Sequence, residues 1–141
     1  MKILLFSLGL MSISTVTVAQ TVTVAQEWQL IAEDAYHQIS LNTQTLASIQ
    51  REQQNLLKVW TNWQVYTEQG PQDQLRGDFT MVMYYINCQS QTIAESSRTS
   101  YFANGLQRSS KASTWHDLRP VAENSLAAQI IKIACQAQQM N

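Results

Sequence analysis

The stretch that decides the fold is Phe79-Thr-Met-Val-Met-Tyr-Tyr-Ile-Asn-Cys88, past the middle of a chain of 141 residues. In an extended strand, successive side chains point to opposite faces. One face then carries Val82, Tyr84, Ile86 and Cys88, and the other carries Phe79, Met81, Met83 and Tyr85. A strand that is apolar on both faces is typical of the covered centre of a sheet. We therefore predict a central strand here.

The flanking segments predict more strands. Lys58–Tyr66 is rich in β-branched and aromatic residues, which favour a pleated surface. Shorter runs at 28–32, 36–41 and 92–102 read in the same way, and the polar segment 46–55 predicts a helix or a loop. Asn104-Gly105 predicts a tight hairpin turn with positive φ at both residues, followed by a polar edge strand over 106–114.

The end of the chain changes from strand to helix periodicity. After Ser125, apolar residues recur along one helical stripe as Ala127, Ile130, Ile131, Ala134 and Cys135. Serine is a preferred N-cap because its hydroxyl accepts a hydrogen bond from an unpaired backbone N–H. Strands followed by one helix predict an α+β fold, an antiparallel β-sheet meander with a C-terminal helix packed on one face.

The start of the chain predicts export. Lys2 precedes an apolar run that ends in small residues, which is typical of a signal peptide over residues 1–19. The sequence Thr-Val-Thr-Val-Ala-Gln occurs twice in succession, so cleavage as late as residue 25 fits equally well. The run is short for a transmembrane helix, and the cut has no cysteine that could carry a lipid. We expect a product without a membrane segment or a lipid anchor, located in the periplasm, at the cell surface or in the medium.

Two cysteines, Cys88 and Cys135, follow the predicted signal peptide. In an oxidising compartment such a pair predicts one disulfide, which would join the helix to the end of the central strand. Two buried free thiols and a metal-binding pair are the alternatives. His37 and His116 show no ligand spacing to either cysteine, so we expect no metal site.

Composition and motifs exclude several function classes. The net charge is −1 and charged residues make up 13% of the chain, so no basic surface for nucleic acid is expected. The adjacent pair His116-Asp117 resembles an acid/base dyad, but an adjacent aspartate rarely orients the histidine ring, and no nucleophile elbow occurs. Glu33-Asp34 reads as the solvated end of a strand. We predict no enzymatic activity and no cofactor.

Aromatic residues provide the best candidates for a binding surface. Tryptophan and tyrosine dominate binding hot spots, and Trp60, Tyr66 and Trp115 are the residues that we single out. The alternative is that they pack the sheet beneath the helix. Trp63 lies on the other face of its strand from Trp60, and we expect it in the core. His37 alternates with apolar neighbours and is expected to be packed and hydrogen-bonded.

The order of several short motifs resembles the surface-adhesin protein E family. The likeness rests on an N-terminal Trp strand, a strand ending in cysteine, a later tryptophan and a helix ending in Ala-Cys. In this chain the matching positions are Trp28-Gln-Leu-Ile, Val59-Trp60, Tyr84-Tyr85-Ile86-Asn87-Cys88, Arg98, Tyr101, Gly105, Trp115, Ser125 and Ile133-Ala134-Cys135. The resemblance covers nearly all of the predicted mature chain.

The resemblance implies a single domain over residues 26–141, built as a small antiparallel sheet and a helix closed by the Cys88–Cys135 bridge. It also implies an exported binding protein, since some members of the family bind host extracellular-matrix proteins and plasminogen. This sequence departs from the lipid-anchored members, and the segment from Trp115 to Val121 looks longer than usual. The missing anchor motivates a second hypothesis, a soluble periplasmic accessory or inhibitor protein acting on an envelope partner.

Overall fold

The computed structural model describes residues 28–111 and 113–140. The predicted signal peptide and both candidate cleavage points lie outside these residues. The strands are β1 (Trp28–Glu33), β2 (His37–Asn42), β3 (Ala47–Arg51), β4 (Gln54–Val65), β5 (Phe79–Asn87), β6 (Thr92–Tyr101), β7 (Gln107–Lys111) and β8 (Arg119–Pro120). The helix α1 spans Leu126–Met140, and short 3-10 helices span Pro71–Asp73 and Trp115–Asp117.

The strands form one antiparallel sheet in the order β1-β2-β4-β5-β6-β7. Strand β3 pairs with the first half of β4, ahead of the segment that pairs with β2, and β8 pairs with the start of β6. From β1 to β7 each strand pairs with the next strand in the chain, except that β2 pairs with β4 and not with β3. The predicted α+β meander is confirmed, and β5 lies inside the sheet as predicted.

The helix α1 covers one face of the sheet, and residues 28–111 and 113–140 place no α-helix on the other, which we call the helix-free face. The helix buries Ile130, Ile131 and Ala134 against the sheet. They pack on every second residue of the strands, for example Val59 of β4 and Val82 of β5. Burying an aliphatic side chain of this size stabilises the fold by about 1.5–3 kcal/mol, so this layer is the main core. The strand residues between these point to the helix-free face.

Both ends of the helix are fixed. At its start, Ser125 Oγ accepts a hydrogen bond from the backbone N–H of Ala128 at 3.1 Å, which confirms the predicted N-cap. Towards its end, Cys135 forms the predicted disulfide with Cys88, which directly follows β5. The bridge joins residues that are 47 positions apart, so it ties the end of the chain to the centre of the sheet.

Two local predictions differ from the structure. Residues 46–55 form neither a helix nor a loop, because β3 and the start of β4 make a hairpin whose turn residues Glu52 and Gln53 have φ of 42° and 68°. The Asn104-Gly105 hairpin forms, but only Gly105 has positive φ, at 84°. The Gly105 N–H donates to Phe102 O at 2.9 Å, which fits an ordinary turn closed by a left-handed glycine.

Among the described residues, no helix combines the length and the apolar character needed to cross a lipid bilayer.

Candidate functional site

A shallow groove of about 310 Å³ crosses the helix-free face of the sheet. Its lining takes one residue from each of five adjacent strands, β1, β2, β4, β5 and β6, and one from the turn after β2. We call it the aromatic groove, and its residues are Trp28, Asn42, Trp60, Met81, Tyr101 and Thr45. Three of the six side chains are large aromatics.

Strand register explains why these residues meet. Trp28 pairs with Asn42 across β1 and β2, and Trp60 and Met81 share the parity that points away from the helix. At the far end, Tyr101 pairs with Phe79, and their rings stack with centroids 4.9 Å apart. The groove therefore forms because side chains alternate between the two faces of each strand, and the pairing of five strands brings the residues on one face together.

The groove is uncharged and offers hydrogen-bond donors. Its six residues are all neutral. Elsewhere, Trp63 donates its indole N–H to Thr61 Oγ1 at 2.9 Å. Among residues 28–111 and 113–140, by contrast, no partner exists for the indole N–H of Trp28 or Trp60 or for the hydroxyl of Tyr101. These side chains are only partly buried, so their donors are open to solvent and available to a polar ligand.

A buried acceptor lies next to the groove. Asn62 pairs with Met81 in the β4–β5 register and points to the same helix-free face. Its Oδ1 is buried and has no hydrogen-bond partner in the part of the chain that the structure describes. An unsatisfied buried amide oxygen costs about 1–3 kcal/mol. The helix-free face therefore contains a buried polar atom that lowers the stability of the fold unless it binds a donor.

The structure separates the three predicted surface aromatics. Trp60 lines the aromatic groove. Tyr66 lies just beyond the end of β4, and its hydroxyl donates to the carbonyl of Asp34 at 3.1 Å, which fixes it near the β1–β2 connection. Trp115 lies in a 3-10 helix with its ring 3.6 Å from that of His116.

Trp115 belongs to a second depression of about 290 Å³. Tyr85, which lies on the helix-free side of β5, contributes one wall of it. The remaining lining is polar or aromatic and comes from Ser96, Ser113, Thr114, Trp115 and His116. Trp60 and Trp115 therefore lie in two different depressions, both of which include residues from the helix-free face.

Sequence reasoning missed Trp28, Met81 and Tyr101 as residues of the groove. Alternation predicts that Met81 and Val82 lie on opposite faces of the same strand. No pattern within one strand, however, shows which strands become neighbours in the sheet. A usable signal was the recurrence of an aromatic or Met side chain on the face of several strands that points away from the predicted helix.

Asp34 and His37 are in hydrogen-bond contact on the helix side of the sheet. The Asp34 carboxylate lies 3.0 Å from His37 Nδ1 and accepts from the backbone N–H of Tyr36 and of His37 at 2.8 and 2.7 Å. Partial burial alone would raise the pKa of Asp34, but these donors outweigh it and hold the pKa below its usual value. His37 is buried and hydrogen-bonded, as predicted, and its ring meets Trp63 edge-on.

Arg98 and Glu95 form an ion pair on the same side. The guanidinium bonds both carboxylate oxygens, at 2.8 and 3.0 Å, and lies over the Trp63 ring. The hydrogen bond to Glu95 raises the pKa of Arg98, although burial opposes this. Burial also raises the pKa of the nearby Tyr84 hydroxyl well above its usual value. Trp63 packs against the core, as predicted.

The adjacent residues His116 and Asp117 lie in a turn that the Asp117 side chain stabilises. Asp117 Oδ2 accepts from the backbone N–H of Thr114 at 2.9 Å, and Thr114 Oγ1 accepts from that of His116 at 3.3 Å. These bonds form a capping box, so the carboxylate of Asp117 supports the backbone. Within residues 28–111 and 113–140, no cluster of three His, Cys, Asp or Glu side chains could hold a metal ion.

Comparison with known protein families identifies the family of the chain. No curated protein and no solved structure shows significant similarity to the chain. The family model described as surface-adhesin protein E matches residues 28–136, which include every strand and most of α1. The matched range contains the aromatic groove and both cysteines of the disulfide. The chain therefore belongs to the surface-adhesin protein E family.

Proposed function

We propose that this chain is an exported, non-enzymatic adhesin that binds a protein partner through the aromatic groove. The family is one of surface adhesins, which points to a binding protein that is exported or located at the surface. The observation that carries the proposal is the groove itself. Three aromatic side chains from three strands converge in a groove on the helix-free face whose six lining residues are neutral, which is the composition of a binding hot spot.

The proposed partners are host extracellular-matrix proteins and plasminogen. Partly exposed aromatics contribute large contact areas and lose little side-chain entropy on binding. A sheet positions them more precisely than a loop would. The disulfide suits a domain that works outside the reducing cytoplasm.

Replacing Trp60 by alanine tests the site. We expect Trp60→Ala to weaken binding to immobilised matrix proteins and plasminogen by about 30-fold, as loss of a hot-spot aromatic does. Surface plasmon resonance measures the binding, and far-UV circular dichroism checks the fold. Trp115→Ala is the matched control, because Trp115 is also partly buried but lies in the other depression.

Two results would contradict the proposal. One is no binding by the wild-type protein at micromolar concentration. The other is a loss of binding in Trp115→Ala with full binding in a folded Trp60→Ala, which would move the site to the second depression. If Trp60→Ala does not fold, Thr45→Arg replaces it, because Thr45 is an exposed turn residue that lines the same groove.

Cell fractionation tests the location. We expect the protein at the cell surface or in the medium, where a host partner can reach it. Recovery in the periplasm alone would contradict adhesion and would support the accessory or inhibitor role.

A further inference from the structure

We propose that the aromatic groove binds a proline-rich segment of the partner in the polyproline II conformation. This inference rests on the proposed function and specifies the ligand of the same site.

The donors of the groove match the acceptors of such a segment. A polyproline II helix has no internal hydrogen bonds, so its backbone carbonyls are free to accept. Proline has no N–H, so the segment brings few donors of its own. The indoles of Trp28 and Trp60 and the hydroxyl of Tyr101 are donors without a partner among residues 28–111 and 113–140.

The surface of the groove suits proline rings. Proline-rich segments dock in grooves lined by aromatic side chains, where preformed structure lowers the entropic cost of binding. Trp28, Trp60 and Tyr101 provide such a lining, with Met81 between the two ends. None of the six residues carries a charge, which fits an uncharged ligand and offers nothing to an acidic or basic one.

The direction of the groove favours a ligand peptide that lies across the strands and makes no backbone hydrogen bonds with the sheet. Its lining residues come from five adjacent strands and step along them, since Trp60 pairs with Met83 and Met81 pairs with Thr99, so the groove runs obliquely across the sheet. Inner strands already use their backbone groups in the sheet, so a ligand on this face must be held by side chains. A β-strand ligand would instead need a sheet edge.

Binding of a ten-residue polyproline peptide tests the proposal directly. We expect saturable binding, followed by the fluorescence of the full chain and by calorimetry, and no binding of a Gly-Ser peptide of the same length. Thr45→Arg should abolish binding because it places a long charged side chain in the groove. Gln50→Arg adds the same charge on β3 outside the groove and should bind like the wild type.

Removing one hydroxyl tests the donor argument. Tyr101→Phe keeps the ring and should weaken polyproline binding by about three- to tenfold, the effect of one hydrogen bond. Tyr85→Phe removes a hydroxyl from the second depression and should leave binding unchanged.

The outcomes separate this inference from the proposed function. No saturable binding up to about 1 mM peptide, equal binding of both peptides, or full binding by Thr45→Arg overturns the polyproline inference. If matrix proteins or plasminogen still bind in a Trp60-dependent manner, the proposed function stands and only its ligand class is wrong. If neither they nor the peptide bind, both fail.

Discussion

Asp34 illustrates how one side chain holds a strand connection. Its carboxylate accepts two backbone N–H groups and contacts the His37 ring at the β1–β2 turn. Tyr66 reaches the carbonyl of the same residue from the end of β4. The turn is therefore linked both to the strand that follows it and to Tyr66, 32 residues further along the chain at the end of β4.

The depressed pKa of Asp34 predicts a pH dependence of stability. A carboxyl whose folded-state pKa lies below its unfolded value stabilises the fold above the unfolded pKa, about 3.9 for Asp, and loses this contribution as the pH falls through the folded-state value. Urea unfolding should show Asp34→Asn less stable than the wild type at pH 7 by up to about 1 kcal/mol, a small effect because the group is partly exposed.

The difference between the two proteins should shrink as the pH is lowered below 4 or so, while Glu123→Gln, which changes an exposed carboxyl, should match the wild type throughout. A difference between Asp34→Asn and the wild type that stays constant across this range would contradict the assigned role of the charge.

At the scale of elements, the N-cap of α1 makes a separate prediction. Ser125→Ala removes the acceptor of the Ala128 N–H and should lower the free energy of unfolding by about 1 kcal/mol. Chemical unfolding followed by circular dichroism measures this. Ser125→Asp keeps an acceptor at the cap and should retain most of the stability. Equal losses of stability in both variants would show that the hydrogen bond from the Ala128 N–H to the side chain at position 125 does not stabilise the helix.

The elements also show what the sequence could predict. Strong alternation in β5 and helical spacing after Ser125 identified the central strand and the helix, because burial enforces both periods. Strand β3 was missed because it is polar and mostly exposed, so no burial pattern marks it. Its pairing with β4, where Leu56 and Leu57 are buried, decides its structure. That is a tertiary effect and leaves little trace in the local sequence.

The two faces of the sheet have different roles in the protein. The helix, held by the Cys88–Cys135 bridge, completes the core on one face. The opposite face keeps Trp28, Trp60 and Tyr101 only partly buried. Trp60 could be identified from the sequence as a candidate, but the groove could not, since its residues come from strands spread between Trp28 and Tyr101 and meet only through the register.

This division predicts that stability and binding can be separated. Replacing both Cys88 and Cys135 by serine removes a cross-link between residues 47 positions apart, and should lower the free energy of unfolding by about 4 kcal/mol in the loop-entropy model. The helix should become more sensitive to proteolysis, since it loses its covalent tie to β5. Measured below its unfolding midpoint, the variant should still bind in a Trp60-dependent manner, because the groove lies on the other face of the sheet. Loss of binding in a variant that keeps its sheet, as judged by circular dichroism, would show instead that the helix side shapes the groove.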